Sequence, residues 1–156
     1  MLYEAEARDI RIAAAGDAML CHPLSIYREP RFLRLAEVLR GADASVCNLE
    51  MPIHDLDIAH MLAEGSYGTA HPDTASELKW MGFDMVSTAS NHVFDFGAAG
   101  MLASQAKLDA AGMVHAGTGR NLAEARAASY MDTARGRVAL LGAASSFPEW
   151  ARAGEQ

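Results

Sequence analysis

The sequence is poor in cysteine, holding only Cys21 and Cys47 in 156 residues. Two thiols do not make a disulfide framework in a chain of this length, and each reads as a small buried hydrophobe beside a motif. No apolar run approaches the roughly 20 residues that a membrane-spanning helix requires. The opening residues, MLYEAEARDI, lack the basic region and apolar stretch of a secretory leader. Read with residue 1 as its start, the chain is therefore expected to be cytoplasmic, with no membrane span. Thirteen Lys and Arg stand against twenty Asp and Glu, a formal net charge of -7. The basic residues are scattered and form no stripe that would track a phosphate backbone, which argues against a nucleic-acid partner. Gly117-Thr118-Gly119 lacks the third glycine of a dinucleotide-binding fingerprint and comes late in the chain. There is no internal repeat and no low-complexity segment.

What is present is an ordinary globular balance, 51% hydrophobic and 21% charged, long enough for one domain with a real core. Asp9 to Ala15 reads as a strand ending at Gly16-Asp17. Pro30 to Arg40 reads as a helix, with Phe32, Leu35, Ala36 and Leu39 at helical spacing, Pro30 in its first turn and Gly41 at its stop. Ala44 to Leu49 is a short buried strand. Met51 to Gly68 is polar and irregular, a loop or insertion. His71-Pro72-Asp73 opens a helix with Ala75, Leu78 and Met81 inward and Gly82 at its close. Asp84 to Thr88 is a strand. A helix over about Ala98 to Ala111 turns Met101, Leu102, Leu108 and Ala111 inward, and Met113 to Ala116 is a strand. Asn121 caps a short helix through about Ala127. Ala128 to Asp132 and Val138 to Ala143 form a hairpin about Arg135-Gly136. This alternation predicts an α/β fold with a largely parallel sheet.

Three successive strands end in polar clusters: Gly16-Asp17, Asn48-Leu49-Glu50 and Asn91-His92. The carboxyl edge of a parallel sheet is where ligands bind, so Asp17, Glu50, Asn91 and His92 are candidates to converge there. Oxygen and imidazole donors suit Mn, Fe, Zn or Mg rather than a thiolate site. Each residue also has a plainer reading. Asp17 fits a turn aspartate, Glu50 a solvated or helix-terminal carboxylate, and His92 a hydrogen-bonded structural histidine. Asp95 either orients His92 as its hydrogen-bond partner or caps the following helix.

The ordered set resembles the CapA family of capsule (poly-γ-glutamate) biosynthesis proteins, which is similar to the calcineurin-like metallophosphoesterases. The residues that carry the likeness are Gly16-Asp17-Ala18-Met19-Leu20, Asn48-Leu49-Glu50-Met51-Pro52, Gly82-Phe83-Asp84 through Ser90-Asn91-His92, Asp95-Phe96-Gly97, Gly100, and Gly117-Thr118-Gly119 with Ala125. The likeness runs from about Ile10 to Ser145. It implies an αββα sandwich with a dinuclear divalent metal centre and an anionic polymer or phosphoester substrate. By the same likeness Asp17, Glu50 and Asn91 are metal ligands, and His22 takes the place of a further histidine ligand at altered spacing. Asn91 also orients the phosphoryl group, and His92 acts near the leaving oxygen. Family domains continue for about another hundred residues and carry further histidine ligands, so the chain is expected to be the N-terminal, incomplete part of one domain. A later segment or a partner would complete the site. Two other readings stay open: a non-catalytic assembly or export factor that keeps the fold, and a fragment with a bare sheet edge and no stable function.

Overall fold

The computed structural model describes residues 9–61, 67–146 and 149–154. The elements are β1 (Ile12–Ala18), α1 (Pro30–Arg40), β2 (Ala44–Leu49), α2 (Thr74–Met81), β3 (Met85–Ser87), α3 (Gly97–Ala110), β4 (Val114–Ala116), α4 (Leu122–Ala125), β5 (Ser129–Thr133) and β6 (Gly136–Leu140). The first four strands form one parallel sheet in the order β1-β2-β3-β4, and β5 and β6 pair antiparallel. Parallel neighbours need long crossovers, and here α1, α2 and α3 supply them. The α/β fold with a parallel sheet expected from the sequence is thus observed. No helix among the described residues is long and apolar enough to cross a membrane.

The three crossover helices share one core with the sheet. Ala36 and Leu39 of α1, Ala75, Leu78 and Met81 of α2, and Leu108 of α3 pack with Cys47, Leu49 and Val86. Side chains alternate faces along a strand. The residues between these, including Asn48, therefore point to the sheet's other face. The hairpin is fastened to the sheet at both ends. Ser129 Oγ donates to the His115 carbonyl at 2.6 Å. Arg135, in its turn, pairs with Asp43 at 3.2 Å and donates to the Asp9 carbonyl at 3.1 Å.

Local chemistry explains most boundaries. Pro30 occupies the first turn of α1, where its missing N–H costs nothing. Gly82 closes α2 in the left-handed region, φ 110°, with its N–H on the Leu78 and Lys79 carbonyls. Asn121 caps α4, its side chain accepting from the Glu124 N–H at 3.0 Å.

The departures from the sequence reading have physical causes. Leu102, read as inward, is 37% exposed, and Leu35, one of the four residues at helical spacing in α1, is 52% exposed. Ala36, Leu39, Met101 and Leu108 fill the narrower stripes that the sheet covers. β1 does not stop before Gly16 but continues through Asp17 to Ala18. Its register with β2 shifts between Ala14 and Asp17, which is a bulge. Three steps on β1, from Ala14 to Asp17, match two on β2, from Val46 to Asn48. The extra residue turns Asp17 onto the face of Asn48. The irregular 51–68 segment is anchored at its start rather than loose, and residues 62–66 of it lie outside the described residues. Ile53 bridges to Ala70 and its N–H donates to Ser104 Oγ at 2.8 Å. His54 is buried against Phe96, ring centroids 4.3 Å apart.

Burial gives two measurable contrasts. Leu108→Ala, at a fully buried position, should cost about 2–5 kcal/mol in urea unfolding, and Leu102→Ala less than about 1 kcal/mol. Burial pushes the Cys47 thiol from an ordinary 9.0 up to about 12, whereas Cys21 is exposed. A thiol reagent at pH 8 should therefore label one cysteine in the native chain and two in urea. From pH 9 towards 12 the unfolded chain releases a proton that the folded chain keeps. Each pH unit in that window should remove about 1.4 kcal/mol of stability.

Candidate functional site

The carboxyl ends of β1 and β2 bring three polar side chains together. Asp17 lies in register with Asn48, and Glu50 follows two residues after Asn48, on the same face by strand period. The Asn48 amide donates to Asp17 Oδ1 at 2.9 Å and to Glu50 Oε2 at 2.9 Å. Both of its N–H groups are used on carboxylates. Two adjacent carboxylates repel unless something positive or hydrogen-donating lies between them, and here a neutral amide does so.

The loop after β3 supplies the flank. Ser90 Oγ donates to the Glu50 carbonyl at 2.7 Å and accepts from the His92 N–H at 3.1 Å. The His92 ring is thereby fixed beside Glu50, with Nε2 3.9 Å from Oε1. That separation is too long for a hydrogen bond. His92 Nδ1 lies 2.8 Å from Asp95 Oδ2, and the Gly68 N–H donates to the same oxygen at 2.9 Å. A carboxylate only accepts, so opposite it Nδ1 is the donor, and in the neutral form of the ring the lone pair is left on Nε2. Of the two readings of Asp95, it contacts His92. It does not cap α3, whose N-cap position is Phe96, with no side-chain cap.

The other sequence candidates stand apart. Asn91 and His22 are exposed, and no hydrogen bond or ion pair among the described residues joins either to Asp17, Asn48 or Glu50. Asn48 and Ser90 are the site residues that sequence reasoning did not single out. Asn48 had a usable signal, its spacing of two from Glu50 on one strand. Ser90 had none, because its role depends on where the β3 loop folds.

The donor chemistry can be compared with what a divalent cation needs. Two carboxylates and an imidazole are the right kinds of group for Mn, Fe, Zn or Mg. Such ions take four to six or more ligands, and no three His, Cys, Asp or Glu side chains among the described residues converge tightly enough to hold one. Asp17 and Glu50, flanked by His92, fit part of a centre.

A family model described as bacterial capsule synthesis protein PGA_cap matches residues 11–156. Two proteins of Sinorhizobium fredii (strain NBRC 101917 / NGR234), described as uncharacterized proteins y4sH and y4uA, are each 38% identical over 146 residues. Each alignment covers 91% of this chain and 32% of the relative. The chain thus spans about a third of the length of these curated relatives.

Asp95 is 3% exposed and accepts two hydrogen bonds through one oxygen. Asp95→Ala should cost about 1–3 kcal/mol in urea unfolding, because the Gly68 N–H loses its acceptor. It should also release the His92 ring to a mixture of tautomers, read from its nitrogen chemical shifts. An unchanged single tautomer would show that Asp95 does not orient the ring.

Proposed function

Because the chain belongs to the bacterial capsule synthesis protein (PGA_cap) family, we propose that it acts in capsule-polymer synthesis or export as a metal-dependent hydrolase of the phosphoester class. The reading extends to a poly-γ-glutamate capsule and to an anionic polymer or phosphoester as substrate. The observation that carries it is the polar row Asp17–Asn48–Glu50 with the His92–Asp95 pair beside it, at the carboxyl edge of a parallel sheet. In the same reading the helix-covered parallel sheet is one half of an αββα sandwich, and the β5–β6 hairpin begins the second sheet.

Asp17 and Glu50 would hold the cation, with His22 and Asn91 as further candidates. A divalent ion there supplies Lewis acidity towards a phosphoryl oxygen and, paired with a second ion, a clamp on it. The chain's own residues do the rest. Asn48 fixes the spacing of the two carboxylates before any ion arrives. Asn91 hydrogen-bonds the phosphoryl oxygen. His92, once protonated, donates from Nε2 to the leaving oxygen, and Asp95 steadies the resulting imidazolium from Nδ1. Ser90 keeps the His92 backbone against Glu50.

A second reading has its own support. Asn91 is exposed and makes no side-chain hydrogen bond among the described residues, where no three acidic, thiol or imidazole side chains form a closed set either. Both facts favour a non-catalytic assembly or export factor that keeps the fold.

Turnover of bis(p-nitrophenyl) phosphate with Mn2+, Zn2+, Mg2+ or Fe2+ decides between them. The hydrolytic reading expects activity that falls by about 10²–10⁴ in His92→Ala and is lost in Asp17→Ala, which also binds Mn2+ more weakly. Turnover unchanged in both variants, or no turnover with any of the four ions, removes it and leaves the non-catalytic role.

A further inference from the structure

The loop after β3 has a second side. Ser90, Val93 and Phe94, whose neighbours face the carboxylate row, form one wall of a cavity of about 470 Å³. That volume lies in the range of small-molecule sites, about 300–1,000 Å³. The cavity opens beyond the carboxyl ends of the parallel strands, the usual place for a ligand in such sheets.

Its floor is backbone. Gly117 sits at φ 113°, and a Cβ there would lie 2.8 Å from Ala89 Cβ and 3.0 Å from Gly142 Cα. The segments after β3, β4 and β6 therefore meet with no side chain between them, which only glycine at this φ allows. Met101 and Leu102 of α3 and Leu122 of α4 give the cavity an apolar wall.

The rim is cationic. Arg120, Arg126 and Arg152 line the same cavity and are exposed. Their guanidinium groups make no hydrogen bond or ion pair among the described residues. Five other cations are paired with carboxylates: Arg11 and Arg135 with Asp43, Arg137 with Asp132, Lys79 with Asp84 and Lys107 with Asp55. The nearby Glu124 carboxylate accepts from the Arg120 backbone N–H at 2.9 Å and from no guanidinium. In a chain of net charge -7, three guanidiniums without a carboxylate partner among the described residues, around an apolar cavity, form a local site for negative charge. Guanidinium forks match carboxylate and phosphate oxygens in pairs.

We propose that this cavity binds an organic anion, a carboxylate or phosphate ester whose apolar part fills the space between α3 and the Gly117 floor and whose charge meets the arginine rim. If the phosphoesterase reading holds, this is the subsite for the organic part of the ester. The binding itself requires no cation and rests on the cavity alone.

Calorimetric titration of the chain in EDTA tests it, with octyl phosphate, octanoate, neutral octanol and inorganic phosphate as probes, each below any micellar concentration. Octyl phosphate or octanoate should bind with a Kd below about 1 mM, and their ranking tells whether phosphate or carboxylate is preferred. The combined variant Arg120→Gln, Arg126→Gln, Arg152→Gln should weaken that binding at least about tenfold. Leu102→Trp, which fills the cavity from a part-exposed position, should abolish it. Octanol binding as tightly as octyl phosphate would overturn the role of the rim. Inorganic phosphate binding as tightly would overturn the role of the apolar wall. No binding of either organic anion would overturn the whole proposal. Asp17→Ala should leave this binding intact, so a failure of the metal reading and a failure of the cavity remain distinguishable.

Discussion

Two carboxylates held side by side at the carboxyl ends of adjacent parallel strands are the constraint around which this structure is arranged. Asp17 lies on β1 and Glu50 just past the end of β2, and each would swing into solvent if nothing tied them. The Asn48 amide ties both, with hydrogen bonds of 2.9 Å to each. That arrangement needs Asp17 on the same face as Asn48, and regular pairing from Ala14 onward would put it on the opposite one. The bulge in β1 supplies the missing residue of offset. Gly16 sits within the bulge with open space around it, so the irregularity meets no steric obstacle. An edge strand is where such a bulge disturbs the ladder least, and β1 is the edge.

The row is then extended by fastenings that each use a group twice. Ser90 Oγ donates to Glu50 and accepts from His92. Asp95 Oδ2 accepts from His92 and from Gly68, and the Asp95 carbonyl accepts from the Met61 N–H at 2.8 Å. Ser104, inside α3, receives the Ile53 N–H. The 51–70 stretch is thereby clamped across the start of α3 through its described residues. His92 is oriented by a partner whose own position depends on this clamp. A change at Gly68 or Ser104, remote from any bond-making, is thus coupled to the imidazole.

Much of this was legible in the sequence because local rules govern it. The alternation of strands and helices, the stops at Gly41 and Gly82, the Asn121 cap and the polar tails of the strands all follow from spacing and residue type. What was not legible depends on pairing between distant segments. The continuation of β1 through Gly16-Asp17 comes from register with β2, which no run of seven residues encodes. Leu35 and Leu102 have helical spacing like their buried neighbours, but the sheet covers a stripe too narrow to reach them. Asp95 offered two partners in the sequence, and the oxygen that meets the His92 ring is also held by the Gly68 N–H, 27 residues away in the chain and adjacent in space.

The loop after β3 links the site's two halves. One side presents His92 to Glu50, and the other presents Ser90, Val93 and Phe94 to the cavity. A molecule seated against the arginine rim would press on the same short loop that positions the imidazole. The loop has little freedom to absorb that pressure, since Thr88 is held by the Ala116 carbonyl and Thr118 at 3.0 and 2.8 Å and Asp95 is buried. Movement would be passed to the segment between them, which is Ser90 to Phe94. The cavity wall and the flank of the carboxylate row thus share the backbone of one short loop.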